Sequence, residues 1–171
     1  MFSIPIVRFV SLACVALLVG SASGSINPAQ SIQRVATLRT ARAAHTATVL
    51  RSGQVLVAGG MADGGDGLAS AELYDPRTAT FDRGPSMANR RYKIAGTSVL
   101  LPDGNMLVTS GARAAELLDI TSWTFREVPG RLPEAYRFAA AAPLRGGEVL
   151  ITGGYSDANQ NTAGVWRFRQ Q

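Results

Sequence analysis

Cysteine, lysine and histidine are almost missing from this chain of 171 residues. The single cysteine, Cys14, lies in an apolar run near the start, so the rest of the chain has no thiolate nucleophile, thiolate metal ligand or disulfide. The single histidine, His45, leaves a nucleophilic triad only one base to draw on, and no cluster of ligands accompanies it to make a metal site. Lys93 is the only lysine among 17 basic residues, so the formal charge of +5 is carried by scattered arginines. Basic residues nowhere interleave with aromatics in a run, which argues against nucleic acid as a partner. The arginine surplus fits either an anionic partner or an arginine- and alanine-rich composition.

What is present divides at about residue 24. Arg8 is followed by the 12-residue apolar run Phe9 to Gly20 and then by Ser21-Ala22-Ser23-Gly24. A basic start, a short apolar centre and a small-residue exit read as a cleavable secretory signal over residues 1–24. The run falls short of the roughly 20 apolar residues of a spanning helix, so no stable membrane span is expected after cleavage. The expected location is secreted or periplasmic.

Beyond it one plan recurs three times. His45 to Gly60, Gly96 to Gly111 and Ala139 to Gly154 each hold a β-rich run, a turn rich in Gly or Asp, and a second apolar run ending in glycine. The turns fall at Arg51-Ser52-Gly53, Asp103-Gly104 and Gly146-Gly147, where residues tolerant of positive φ let two strands reverse. A third strand follows at Ala71-Glu72-Leu73-Tyr74-Asp75, Ala115-Glu116-Leu117-Leu118-Asp119 and Ala163-Gly164-Val165-Trp166-Arg167. A fourth carries Phe81 and Phe125 in the first two units. Ile32 stands before the first unit as Phe81 stands before the second, so the units are read as about 31–79, 80–123 and 124–171.

Strand, turn, a strand ending in Gly-Gly and a Tyr-Asp-like third strand resemble the kelch repeat, in the bacterial exported form related to the galactose oxidase propeller. Repeat two departs from it in having Ser110-Gly111 for the glycine pair, and repeat three has no aromatic fourth strand. The resemblance implies an all-β fold, a kelch-type β-propeller segment of three four-stranded blades, half or part of a ring. Gly59, Gly60, Gly111, Gly153 and Gly154 are expected to shape the turns, and Tyr74, Trp123 and Trp166 to pack the blades. Propellers use four to eight blades. Either two chains close a six-bladed ring, each lending Ile32 to Ala36 to the other, or the sequence is part of a longer propeller.

The resemblance to galactose oxidase stops at the fold, because that family's copper chemistry uses histidines and a cysteine-linked tyrosine. No cofactor or metal is expected. The loops Asp63 to Gly67 and Ser156 to Asn161 are oxygen-rich but lack regular calcium spacing. His45 is read as structural. Arg42, Arg91 with Lys93, and Arg137 precede the first strand of each unit, where kelch resemblance implies proximity to a channel and contact with acidic ligands. The expected function is an exported, non-catalytic module that recognises a protein or acidic glycan. The alternatives are a sugar-modifying enzyme of the sialic acid epimerase (mutarotase) type and a non-functional propeller fragment.

Overall fold

A computed structural model describes residues 32–170. The segment read as a signal lies outside the described residues, and among those that are described no helix is long and apolar enough to cross a membrane.

Among the described residues, eleven strands form three antiparallel sheets in chain order. The first holds β1 (Thr46–Val49), β2 (Val55–Ala58), β3 (Ala71–Asp75) and β4 (Thr80–Arg83), and the second β5 (Ser98–Leu100), β6 (Met106–Val108), β7 (Glu116–Asp119) and β8 (Thr124–Glu127). The third has three strands among the described residues, β9 (Ala140–Pro143), β10 (Val149–Thr152) and β11 (Val165–Phe168), with β10 central. The place outside β11 corresponds to that of β4 and β8, as the absence of an aromatic fourth strand in repeat three foreshadows. The architecture is that of a partial propeller.

Burial follows position in the blade. β2 and β6 are apolar and almost wholly buried along their length, so they read as continuous hydrophobic runs rather than alternating ones, and the sheet of β6 lies between the other two. The outermost strands β4 and β8 keep only Phe81 and Phe125 partly covered. Leu56, Met106, Val108 and Leu118 pack together between sheets one and two, and Leu107, Leu117 and Val149 between sheets two and three. Each fully buried aliphatic side chain contributes roughly 1.5–3 kcal/mol.

The turns lie where expected. Leu50 N–H donates to Gln54 O and Gly53 N–H to Leu50 O, closing the first hairpin with Gly53 at φ +83°. The Asp that ends the third strand has its own task. Asp75 Oδ1 accepts from Arg77 N–H at 2.9 Å, and Asp119 Oδ1 from Thr121 N–H at 2.8 Å, which starts the turn into the fourth strand.

Candidate functional site

Each inner strand is entered through a residue in the left-handed region: Ala44 at φ 53°, Lys93 at 57° and Phe138 at 51°. The kinks are linked, since Ile94 N–H donates to Ala44 O and Phe138 N–H to Lys93 O. Non-glycine residues are uncommon in this conformation, and bulky ones more so. Where Ala44 carries only a methyl group, its counterparts carry an ammonium and a phenyl ring.

Those two side chains help to build a cluster. Lys93 Nζ lies 2.6 Å from the Tyr155 hydroxyl and 5.3, 5.7 and 5.8 Å from the ring centres of Tyr155, Phe138 and Tyr92. The Arg137 guanidinium lies 4.6 Å from the Tyr92 ring centre, so one aromatic ring serves two cations. Arg137 and Tyr155 are paired directly across an antiparallel bridge, with N–H to O distances of 2.9 and 3.0 Å. The guanidinium is ion-paired with Asp157, which is 70% exposed, while its Nε–H is buried without a partner among the described residues. Ser156 Oγ is likewise buried and unpartnered there. The equivalent place in the first repeat holds Ala43, Ala44 and Met61, on the same bridged backbone.

The four basic side chains expected to gather at the channel separate into two groups. Lys93 and Arg137 meet in the cluster. Arg42 and Arg91 point into the blades, with side chains at 0% exposure, and this corrects the expectation that they present a charge to ligand. Arg91 donates to Ser110 O at 2.8 Å and Glu116 Oε1 at 2.8 Å, and to Ala114 O, while its own carbonyl accepts Gly60 N–H. It therefore ties the first sheet to the second. Arg42 does the same work within the first sheet, bonding Gly59 O, Ser70 O and Glu72 Oε1.

Burial alone would push the Glu116 carboxyl up, but the Arg91 guanidinium, the Ala88 N–H and the Asn89 amide outweigh it and hold it below its ordinary value. Glu72 is lowered in the same way against its burial, chiefly by the Arg39 N–H and the Arg42 side chain. Burial and the neighbouring Arg42 charge lower His45, which is therefore neutral at pH 7, with Nδ1 buried and unpartnered among the described residues.

In repeat three the ion pair is absent because both partners change together. Tyr136 replaces the arginine and Trp166 the glutamate, since Trp166 pairs with Ile151 as Glu72 pairs with Val57 and Glu116 with Val108, and the two rings stack at 5.0 Å. A Cβ at residue 164 would lie 2.4 Å from the Trp166 ring, so glycine makes room for the tryptophan. Tyr74, which pairs with Val55 as Phe168 pairs with Val149, packs on Phe81 at 5.0 Å. Sequence reasoning missed Tyr92, Phe138 and Tyr155, and weighed Asp157 only as part of an oxygen-rich loop. Their signal was available: at the first-repeat positions occupied by alanine and methionine, the later repeats place aromatics and cations.

Among the described residues no three His, Cys, Asp or Glu side chains gather as a metal site would require. The Asp63 to Gly67 loop closes on itself, Ala62 N–H donating to Asp66 O and Gly65 N–H to Ala62 O.

These features define a kelch-repeat β-propeller segment. The kelch motif model matches residues 41–88, which carry the first sheet and the lead into the second. A solved structure described as "Structure of YjhT" shares the fold with TM-score 0.61 at 13% identity, covering 74% of this chain and 48% of that one. The chain thus spans about half the length of that structure. No curated protein sequence matches it.

Proposed function

We propose that this chain is an exported, periplasmic or secreted binding module that recognises the carboxylate of an acidic sugar through Lys93 and Arg137. The observation that carries the reading is the Arg137–Asp157 pair beside an aromatic-walled lysine. The Asp157 carboxylate occupies the guanidinium as a ligand carboxylate would, on a side chain exposed enough to be displaced. Tyr92, Phe138 and Tyr155 supply faces for the apolar side of a sugar ring.

Titration with galacturonate and with N-acetylneuraminate, followed by NMR, should give saturable shifts that galactose does not. Arg137→Gln and Lys93→Gln should each weaken binding at least tenfold. Equal affinity in parent and variants removes the reading. Accelerated exchange between anomers in the same spectra would instead favour the mutarotase alternative, for which the Lys93–Tyr155 couple is the available proton carrier.

The three-stranded third sheet leaves β11 with a free edge among the described residues, and such edges recruit strands. We infer that a second copy covers it, completing a six-bladed ring. Light scattering on residues 25–171 should report the mass of two chains. A folded species with the mass of one chain refutes the shared ring, and an aggregate indicates a segment of a longer propeller.

A further inference from the structure

The first two sheets solve one problem in two ways, and the difference opens a second basic site. In sheet two, Asn89 Nδ2 bridges Glu116 at 3.0 Å and Glu127 at 2.8 Å, closing the surface over the buried carboxylate. Register places Arg83 opposite Glu72 as Glu127 stands opposite Glu116, and backbone bonding matches Thr40 to Asn89. Sheet one therefore has a threonine and an arginine where sheet two has its amide–carboxylate bridge. The bridge is replaced by a cleft of about 400 Å³ lined by Arg39, Arg42, Ser70, Glu72, Arg83 and Ser86.

The charges in the cleft do not cancel. Glu72 is 3% exposed and its oxygens are taken by Arg39 N–H, Thr40 N–H and Arg42, so its charge is balanced from within. Arg39 and Arg83 are exposed, and neither guanidinium forms an ion pair among the described residues. Arg42 keeps a buried Nε–H without a partner among the described residues. Two free guanidinium forks facing a cleft with a serine hydroxyl make a multidentate donor set for oxygen anions.

We propose that this cleft binds a tetrahedral oxyanion, the sulfate or phosphate group of a larger ligand, at a site distinct from the Lys93–Arg137 cluster. Inorganic sulfate is the probe, titrated into the full chain at constant ionic strength balanced with chloride. Thr40→Asn combined with Arg83→Glu copies the closure of sheet two and should weaken sulfate binding at least tenfold while circular dichroism stays that of the parent. Arg39→Gln, on an exposed side chain, should weaken it by a smaller factor, and Arg137→Gln should leave it unchanged. Tighter binding of phosphate than of sulfate would identify the ligand group as a phosphate ester, and the reverse order as a sulfate ester. The proposal is overturned if sulfate gives no saturable binding, if the double variant binds as the parent does, or if Arg137→Gln abolishes binding. Loss of galacturonate binding in Arg137→Gln with sulfate binding intact separates the two sites.

Discussion

Glu116→Ala is expected to destabilise the chain by about 3–5 kcal/mol, the cost of leaving a buried charge without its partner. The carboxylate is fully buried and accepts from Ala88 N–H at 2.7 Å, Asn89 N–H at 3.1 Å and Arg91 Nη2 at 2.8 Å. Truncation would strand the Arg91 guanidinium, whose side chain has 0% exposure and whose carbonyl ties Gly60 of the first sheet to the second. Against a total stability of about 5–15 kcal/mol, that loss is enough to separate adjacent blades. Urea unfolding followed by circular dichroism measures it, and a change under about 1 kcal/mol, the size of an ordinary surface pair, would mean that this one is not a main support.

The same carboxylate sets an acid limit. Its folded-state pKa lies below its ordinary value of 4.5, so the stability it contributes is complete above that value and lost as pH falls through the folded one. Glu72 adds to the slope with the same sign. Unfolding midpoints should fall as the pH drops below 4.5 in the parent and fall less steeply in Glu116→Ala.

Gly60→Ala is the second large effect. Gly60 has φ +95°, and an added Cβ would stand 2.7 Å from Ala43 O and 2.9 Å from His45 Cβ, a backbone atom and one fixed to it. Backbone strain of this kind costs on the order of 1–3 kcal/mol, and the overlap adds to it because neither neighbour can swing away. Gly53→Ala is the control, with φ +83° but nothing within 4 Å of the new Cβ. Both variants should melt below the parent, Gly60→Ala by clearly more. Equal melting temperatures would show that the close approach is relieved at no cost.

The repeat carried the fold into view because its causes are local. Turn residues with free φ, an apolar strand buried on both faces and an Asp that starts the next turn each act within a few residues, so they recur visibly. Arg42 and Arg91 were visible as repeated residues, but not the direction of their side chains. Their partners, Glu72 and Glu116, stand 30 and 25 residues further on. The recurring Ala-Glu-Leu of the third strand could have marked the pairing.

Arg137 illustrates the converse. It precedes an inner strand as Arg42 does, yet the residue equivalent to Arg42 and Arg91 is Tyr136, whose carbonyl accepts Gly111 N–H as that of Arg91 accepts Gly60 N–H. One position of offset turns an inward staple into a partly exposed cation paired with Asp157, because adjacent residues entering a strand point to different sides.

The sequence by itself determined the blade: its period, its turns, its apolar faces and the positive balance of its charge. Only the tertiary structure decided which arginines are consumed inside the protein and which keep part of their surface in water. An arginine's role depends on whether a carboxylate and carbonyls from distant strands converge on it, and that convergence exists only once the sheets have packed.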